Sequence, residues 1–215
     1  MEKWNLVNFC EIDKYAIQSY CAVHGVDPVK NLGDITNVDE KVLPRFTAVG
    51  GGSPCQDFSL AGKQRGSMWK CLDCGYEYNP ITVHYDKRNK CPKCGSYNFD
   101  KTRSSLLIEY LRIIRHGKPN WGIYENVKAL VGKKYKETFE LFLKELEEYG
   151  YNVYYQVLNA KDYGVPQNRE RIFVIYIRKE LDNGQFKFPE PFDNGLRLRD
   201  VLEDEVDEKY YVNTP

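Results

Sequence analysis

The sequence has no long hydrophobic run and no excess of charge of either sign. No apolar stretch approaches the roughly 20 residues that a membrane-spanning helix needs, so we expect no membrane partner. Lys+Arg and Asp+Glu each number 31 in 215 residues, and the overall charge therefore gives no indication of a nucleic-acid partner. The first residues, Met1–Asn5, lack the basic patch and apolar core of a secretory signal, which favours a cytoplasmic location.

Seven cysteines in a cytoplasmic chain favour metal binding or catalysis over disulfides. Four of them form two CxxC pairs, Cys71/Cys74 and Cys91/Cys94, which are separated by 16 residues and are each followed by glycine. Two such turns complete a closed tetrahedral site of four thiolates, so the pattern predicts a zinc ribbon with a structural metal. Chance spacing and an iron–sulfur cluster are the alternatives.

Strands alternate with helices along the rest of the chain. Apolar runs ended by turn residues predict strands, and helical spacing ended by glycine predicts helices. The predicted strands are Leu6–Cys10, the end of Asn31–Thr36, Phe46–Gly50, Trp121–Val127, Tyr151–Leu158 and Arg171–Arg178, and the predicted helices are Ile12–His24, Ser104–His116 and Lys134–Tyr149. This alternation predicts an α/β fold with a mostly parallel, doubly wound sheet.

Cys55 lies in a Gly/Pro turn directly after the apolar run that ends at Val49. Open α/β sheets bind their ligands at this end of their strands, which makes Cys55 a candidate nucleophile, although many cysteines are only buried structural residues. Glu125 and the pair Arg169 and Arg171 also lie at predicted strand ends. A thiolate, a carboxylic acid and guanidinium groups together suit addition to an electron-poor ring.

These motifs resemble those of the DNA cytosine-5 methyltransferases of bacteria and phages. The matching stretches are Gly52–Ser59, Gly62–Gly66, Thr102–Leu106, Glu125–Val127 and Leu158–Arg171, with Phe9–Ala16 and Gly33–Ile35 for the cofactor motifs. The resemblance implies a Rossmann-like class I methyltransferase sheet, a double-stranded DNA substrate and S-adenosylmethionine as methyl donor.

By this resemblance, Cys55 attacks carbon 6 of a cytosine that has been flipped out of the duplex. Glu125 contacts ring nitrogen 3 and the exocyclic amine, and Arg171, with Arg169 nearby, holds the carbonyl oxygen. Asn159, Gln167 and Glu170 carry less weight, because polar residues beside Gly164 and Pro166 often only stabilise a loop.

The resemblance assigns the cofactor to six residues. Glu11 would bind the ribose hydroxyls, Ile12 would pack on the adenine, and Asp34 with Ile35 would contact its amino edge. Pro54 and Leu106 would line the same pocket. Taken alone, Glu11 could instead be a helix-terminal charge and Asp34 a turn residue.

Two features depart from the family pattern. The family begins with a strand that ends in a Phe-x-Gly-x-Gly loop, and nothing before Leu6 matches it. The target-recognition domain is represented only by a lead-in, Leu196–Leu202 with Lys209–Tyr211. We therefore expect a sheet that is incomplete at its first strand, and a chain that is a fragment, a split half of an enzyme or the product of a mis-started reading frame. Cofactor binding by this chain alone should be weak or absent, and a complementing polypeptide could carry the missing motifs.

The expected organisation has four parts. Residues 1–69 form the cofactor and catalytic-loop part, 70–100 the zinc-ribbon insert, 101–180 the remainder of the methyltransferase domain and 181–215 the lead-in. The insert either contacts the DNA backbone through Lys87, Arg88 and Lys90 or only stiffens a long loop. The alternative functions are an inactive remnant or zinc-ribbon DNA-binding subunit and, less favoured, a tRNA methyltransferase.

Overall fold

The computed structural model describes residues 4–54 and 66–210. Three α-helices and seven strands form the two sheets and the layer that covers them. In chain order they are α1 (Lys14–His24), β1 (Ala48–Gly51), β2 (Trp69–Cys71), β3 (Glu77–Tyr78), β4 (Phe99–Lys101), α2 (Leu107–Gly117), β5 (Trp121–Val127), α3 (Lys136–Glu148), β6 (Tyr151–Asn159) and β7 (Glu170–Arg178). None of the helices in these ranges is both long and apolar enough to cross a bilayer.

The larger sheet has four strands in the order β1-β5-β7-β6. β1 pairs with β5 in parallel, whereas β7 is antiparallel to both of its neighbours, β5 and β6. Three strands therefore run in one direction, as expected, but only one of the three pairings is parallel. The antiparallel strand follows from the short connection between β6 and β7, because parallel neighbours need a long crossover.

The predicted helices are confirmed, with small shifts at their ends. Asp13 caps α1 by accepting hydrogen bonds from the Tyr15 and Ala16 amides, so this helix begins after the predicted Ile12. Gly117 does not stop α2 but belongs to it, and Lys118 ends the helix in a left-handed conformation with φ 43°. Glycine is required at 117 because a Cβ there would lie 2.2 Å from the Phe46 ring.

The core lies between the sheet and the helices α2 and α3. Leu107, Leu111, Ile114, Phe142 and Leu146 are the helix residues with no exposed surface. They cover a sheet face that is rich in tyrosine, whose hydroxyls are satisfied inside the protein. The buried Tyr110 and Tyr176 hydroxyls lie 2.8 Å apart, and the Tyr110 hydroxyl also donates to the Ile123 carbonyl.

The N-terminal lobe, residues 4–47, packs loosely on this core. No residue from 4 to 52 is buried, and Ile12, Tyr15 and Val42 are each about three-quarters exposed. The predicted strand Leu6–Cys10 is wrong: only an isolated bridge joins Phe9 to Asn31. Within the described chain this segment has no neighbouring sheet strand to continue the pairing, and the hydrogen-bonding groups of a lone strand are better satisfied by water.

Arg112 of α2 is the main polar attachment of this lobe. Its guanidinium donates to the carbonyls of Ile35 and Val38, both at 2.8 Å, and pairs with Glu40 of the lobe and Glu109 of its own helix. Two backbone acceptors and two carboxylates satisfy this cation. The predicted strand Phe46–Gly50 is observed as β1, but its residues are half-buried or exposed, not buried as expected.

The cysteine-containing insert forms the smaller sheet, of order β3-β2-β4. Its Trp69, Tyr78 and Ile81 side chains are buried and belong to the same hydrophobic cluster as Leu107, Leu111 and Phe142. The insert therefore shares the core of the larger sheet. Asn79 adds a polar contact by donating to the Thr138 hydroxyl of α3 at 2.8 Å.

A buried ion pair joins the insert to α3. Arg88 donates to both carboxylate oxygens of Glu145, at 3.0 and 2.6 Å, and to the Val83 carbonyl at 3.0 Å. The two side chains are only 6% and 7% exposed. A buried carboxylate that loses its partner is strongly destabilising, so this contact makes the insert and α3 depend on each other.

We predict that Arg88→Ala lowers the free energy of unfolding by about 3–5 kcal/mol, because Glu145 is left buried without its cation. Urea unfolding followed by circular dichroism measures the change. Lys70→Ala is the matched control: Lys70 pairs with Glu77 at 3.1 Å on the surface of the same insert, and its loss should cost less than about 1 kcal/mol. Equal losses in the two variants would contradict this account of the interface.

Candidate active site and metal centre

The C-terminal ends of β1 and β5 meet at one edge of the larger sheet. The parallel register pairs Gly51 with Tyr124, so the turn Gly52–Pro54 lies beside Glu125 and Asn126. Cys55, the predicted nucleophile, lies outside the described residues. Pro54 is therefore the last described residue before Cys55.

Asn126 fastens this turn to β5. Its buried amide nitrogen donates to the Ser53 carbonyl at 3.0 Å and to the Tyr124 hydroxyl at 2.9 Å, and its amide oxygen accepts from the Val127 amide at 2.8 Å. The Ser53 and Tyr124 hydroxyls lie 2.8 Å apart. Burial raises the pKa of Tyr124 to about 12, so the hydroxyl stays neutral and serves as a hydrogen-bonding group.

Gly52 allows the turn to approach β5 closely. A Cβ at this position would lie 2.2 Å from the Glu125 carbonyl oxygen, and that atom is backbone and cannot rotate away. The glycine is therefore needed for the contact and not for a turn of special φ. Because Gly52 has no side chain, the turn Gly52–Pro54 can pack against the strand that carries Glu125.

The structure brings Glu125 and Arg171 together. The Arg171 Nε lies 3.0 Å from the Glu125 Oε1 across the pairing of β5 with β7. The Glu125 side chain is 41% exposed and the Arg171 side chain 21% exposed, so the pair faces an accessible surface. An accessible carboxylate held by a guanidinium can contact the hydrogen-bonding edge of a ligand that enters this edge of the sheet.

Arg169 is not part of this pair. It is exposed, and in the described part of the chain its side chain makes no ion pair or hydrogen bond with Glu125 or Arg171. Its backbone amide donates to the side-chain oxygen of Asn159 at 3.0 Å, and the side-chain nitrogen of Asn159 donates to the side-chain oxygen of Asn168 at 2.7 Å. Asn159 thus stabilises the β6–β7 connection, which matches the structural alternative given above for this residue.

Asn31 holds two of the predicted cofactor residues in adjacent turns. Its amide oxygen accepts from the Glu11 and Gly33 amides at 3.0 and 3.1 Å, and its nitrogen donates to the Glu11 carbonyl at 2.9 Å. The Glu11 turn and the Asp34 turn are thereby joined by one side chain. Sequence reasoning missed Asn31, because a lone asparagine before a glycine indicates only a turn.

The two carboxylates also stabilise their own turns. Glu11 Oε1 accepts from the amides of Ile12 and Asp13, at 2.8 and 2.9 Å. Hydrogen bonds from the Thr36 amide and hydroxyl lower the pKa of Asp34, so this carboxylate is charged at neutral pH. Both are therefore fixed acceptors on the N-terminal lobe.

The remaining predicted cofactor residues divide between the lobe and the core. Ile12 is 75% exposed, and the carbonyl of Ile35 is held by Arg112. Pro54 and Leu106 lie on the core side, where the Pro54 carbonyl accepts from the Ser104 hydroxyl two residues before Leu106. The hydrogen bonds of Asn31 join the turns of Glu11 and Asp34, and that of Ser104 holds Pro54 near Leu106, so the described contacts link these six residues as two groups.

The four predicted metal ligands converge on one point. The sulfurs of Cys71, Cys74, Cys91 and Cys94 all lie within 4.8 Å of one another. Cys71 and Cys94 are 3.5 Å apart, and Cys74 and Cys91 are 3.7 Å apart. Thiolates that are each about 2.3 Å from a zinc ion at the centre of a tetrahedron are separated by similar distances.

Both cysteine turns have the same backbone. The amides of Gly75 and Gly95 each donate to the carbonyl of the first cysteine of their pair at 2.9 Å, and both glycines have a left-handed φ, of 71° and 75°. Only glycine adopts this conformation without strain. The glycine after each CxxC pair, noted in the sequence, is therefore what closes the turn.

The thiols resist simultaneous ionisation without a cation. Burial opposes ionisation of Cys91, but the Cys94 and Lys93 amides bond to its sulfur and lower its pKa to about 7. At Cys94 the Ser96 amide favours the thiolate, but the Cys74 sulfur, desolvation and the Cys71 and Cys91 sulfurs together outweigh it and raise the pKa to about 12. Like charges that cannot all form alone are stabilised by a bound metal ion.

Comparisons with known proteins agree with these motifs. The family model for C-5 cytosine-specific DNA methylases matches residues 1–70 and 93–215. The chain belongs to this family. An orphan methyltransferase of Bacillus phage SPbeta is 36% identical over 98% of this chain and 54% of its own length. A type II methyltransferase of Lactococcus lactis subsp. cremoris is 42% identical over 85% of this chain and 42% of its own length.

Solved structures of this fold are also similar. The Dnmt2 methyltransferase of S. pombe superposes with a TM-score of 0.62 at 20% identity, over 96% of this chain and 56% of that chain. A DNA modification methyltransferase from an E. coli prophage gives 0.60 at 19% identity, over 94% and 50%. The chain thus has the class I methyltransferase fold and spans about half the length of the curated relatives it matches.

Residues 71–92 of the insert lie outside the match to the family model. The middle of the insert, around Tyr85, does not reach the edge of the larger sheet where Glu125 lies. Tyr85 packs on Tyr149 and beneath Arg115, at the ends of α3 and α2 that precede β6 and β5. Glu125 lies near the opposite end of β5.

The expectation that Arg88 contacts DNA is therefore wrong, because this side chain is buried against Glu145. Its neighbours Lys87 and Lys90 lie on the same distant part of the insert. The buried pair was missed because, in sequence, a basic run indicates a solvated face. The buried Arg88–Glu145 pair favours the alternative that the insert has a stabilising function.

Proposed function

We propose that this chain is the catalytic part of a DNA cytosine-5 methyltransferase that transfers a methyl group from S-adenosylmethionine to a flipped cytosine in double-stranded DNA. The observation that carries the proposal is the Glu125–Arg171 pair beside the turn that leads to Cys55. A carboxyl group, a guanidinium and a cysteine at one edge of a sheet supply the groups that this reaction needs.

In the proposed reaction, the Cys55 thiolate adds to carbon 6 of the cytosine ring and forms a covalent bond. The electron pair that this addition places on carbon 5 takes up the methyl group. Loss of the carbon 5 proton to solvent and departure of the thiolate then restore the aromatic ring. Bound S-adenosylmethionine would supply the electrophilic methyl group, with the methyl–sulfur bond broken and the neutral thioether as the leaving group.

Glu125 and Arg171 bind the ring that Cys55 attacks. The Glu125 carboxyl group contacts ring nitrogen 3 and the exocyclic amine, so that a proton or hydrogen bond at nitrogen 3 stabilises the charge that develops on addition. Arg171 orients Glu125 through the 3.0 Å contact and donates to the cytosine carbonyl. We assign Arg169 a supporting function on the same surface, through its positive charge.

The N-terminal lobe has the right chemistry for the adenosine end of the cofactor. Glu11 offers a carboxylate to the ribose hydroxyls, and the charged Asp34 offers one to the adenine amino group. The shared contacts of Asn31 keep these two turns adjacent. Ile12 and Ile35 provide apolar surface for the adenine, and Pro54 with Leu106 lines the side that faces the catalytic edge.

We infer that full cofactor binding needs further polypeptide on this lobe, whether from a longer chain or from a complementing one. The support is that no residue from 4 to 52 is buried, while Ile12, Val23 and Val29 are about three-quarters exposed. Covering this much apolar surface is favourable, at roughly 25 cal/mol per Å². A covered lobe would also enclose Ile12 and Ile35 around the adenine.

We also propose that Cys71, Cys74, Cys91 and Cys94 bind a structural zinc ion. The tetrahedral sulfur spacing and the paired glycine turns support it, and four thiolates leave no coordination position for catalysis. Because Trp69 and Tyr78 belong to the main core, the metal would stabilise that shared core and not the insert alone.

We predict that the purified chain contains zinc in equimolar amount and that Cys71→Ser removes it and lowers the melting temperature by several degrees, because the insert shares the core. Atomic absorption and differential scanning calorimetry provide the two measurements. Cys21→Ser in α1 is the control and should keep the metal. Full metal content in Cys71→Ser, or metal loss without a change in melting temperature, would contradict the assignment.

The methyl-transfer proposal is tested with tritiated S-adenosylmethionine and double-stranded DNA, using the chain alone and with the products of neighbouring reading frames. We expect transfer to carbon 5 of cytosine, its abolition by Cys55→Ala, and a reduction of about 10²–10⁴-fold by Glu125→Gln, which cannot donate a carboxyl proton. Cys21→Ser should remain active.

No transfer under any of these conditions would contradict the enzyme and favour the DNA-binding remnant. A parallel reaction with tRNA addresses the third function. Transfer to tRNA and not to DNA would overturn the proposed substrate while it preserves the proposed chemistry.

A further inference from the structure

The two described ends of the chain that flank residues 55–65 are held by the same short segment. Pro54 precedes these residues and Gly66 follows them. Thr102 and Ser104, immediately after β4, contact both flanks through their hydroxyls. Both are buried, with 8% and 0% of their surface exposed.

On the first flank, the Ser104 hydroxyl donates to the Pro54 carbonyl at 2.9 Å. The carbonyl of the preceding residue, Ser53, accepts from the Asn126 side chain. The last two carbonyls before Cys55 are therefore held by different elements, one by Asn126 of β5 and one by Ser104 after β4. Buried hydrogen bonds of this kind are costly to break, because each leaves an unsatisfied group.

On the second flank, the Thr102 hydroxyl donates to the Gly66 carbonyl and accepts from the Met68 amide, both at 2.9 Å. The Ser67 hydroxyl adds a bond to the Ser104 carbonyl at 3.0 Å. The Thr102 hydroxyl thus joins Gly66 and Met68, and the Ser104 hydroxyl, two residues further along, joins Pro54. The distance between Pro54 and Gly66 is therefore set by Thr102 and Ser104.

These residues are attached directly to the cysteine-containing insert. β4, which ends one residue before Thr102, pairs with β2, and the register places Phe99 opposite Cys71. The Thr102 amide continues this ladder by donating to the Met68 carbonyl at 3.0 Å. Only two strand residues, Asp100 and Lys101, separate Phe99 from the hydroxyl that holds Gly66.

The insert is in turn fixed to both helices of the core. Arg88 pairs with Glu145 and Asn79 bonds to Thr138 on α3, while Trp69 is buried in the shared cluster. A metal-closed insert with these contacts is a rigid support. Residues 71–92 of this support lie outside the match to the family model.

We propose that Thr102 and Ser104 are positioning residues through which the metal-bound insert fixes Pro54 and Gly66, the two flanks of the segment that carries Cys55. The importance of that segment rests on the proposed function, but the mechanical coupling does not. Metal binding at the four cysteines then controls how firmly the flanks are held.

Hydrogen–deuterium exchange, measured by mass spectrometry on peptides from Gly52 to Met68, tests the coupling. We expect Ser104→Ala, which removes the buried hydrogen bond to Pro54, to accelerate exchange there by about three- to tenfold, and Thr102→Val, which removes the bonds to both Gly66 and Met68, to accelerate it by at least as much. Thr102→Ser keeps the hydroxyl and should restore the original rate. Removing the metal with a chelator should accelerate the same peptides, while those of Lys14–His24 are unchanged.

Thr138→Val is the matched control. Its hydroxyl is as buried as that of Thr102, at 7% exposure, and also has a partner in the insert, but it contacts neither flank. We expect no change between Gly52 and Met68 in this variant. Equal acceleration in Thr138→Val and Thr102→Val would overturn the proposal, as would unchanged exchange in both Thr102→Val and Ser104→Ala.

If Thr102→Val fails to fold, Ser104→Ala decides the question, because it removes the hydroxyl that bonds to Pro54 and leaves the β2–β4 ladder intact. The exchange measurement needs neither DNA nor methyl donor. An inactive chain with the expected exchange pattern would refute the proposed function alone, and an active chain without that pattern would refute the positioning function alone.

Discussion

The structure depends on the attachment of the Gly52–Pro54 turn to β5. Asn126 holds the Ser53 carbonyl, and the missing side chain of Gly52 lets the turn reach the Glu125 backbone. These contacts place the residues before Cys55 beside the Glu125–Arg171 pair. Without these contacts, the turn that leads to Cys55 would not be held beside the strand that carries Glu125.

The core and the N-terminal lobe differ in how much of their side-chain surface is buried. The sheet, α2, α3 and the insert share one core, and buried Arg88 makes the insert part of it. The lobe of residues 4–47, with Glu11 and Asp34, has no buried residue and is attached mainly through Arg112. In the proposed enzyme, the groups that bind the base are therefore more rigid than those that bind the methyl donor.

Much of this arrangement could be predicted from the sequence, because local patterns specify it. Helical spacing ended by Gly25 predicts α1, and paired CxxC motifs with following glycines predict the cluster of four cysteines. Contacts between distant residues could not be predicted in this way. Arg88 reads as a surface charge until α3 brings Glu145 to it, and Leu6–Cys10 reads as a strand although the described chain offers it no sheet neighbour.

The most direct test of the central claim is to look for a covalent bond between Cys55 and its substrate. DNA that contains 5-fluorocytosine blocks the final loss of the carbon 5 substituent and should trap the adduct in the presence of S-adenosylmethionine. We predict that mass spectrometry of the digested complex finds the base on the peptide that contains Cys55. A trapped base on another cysteine, or none with the chain and its complementing polypeptide together, would contradict the account.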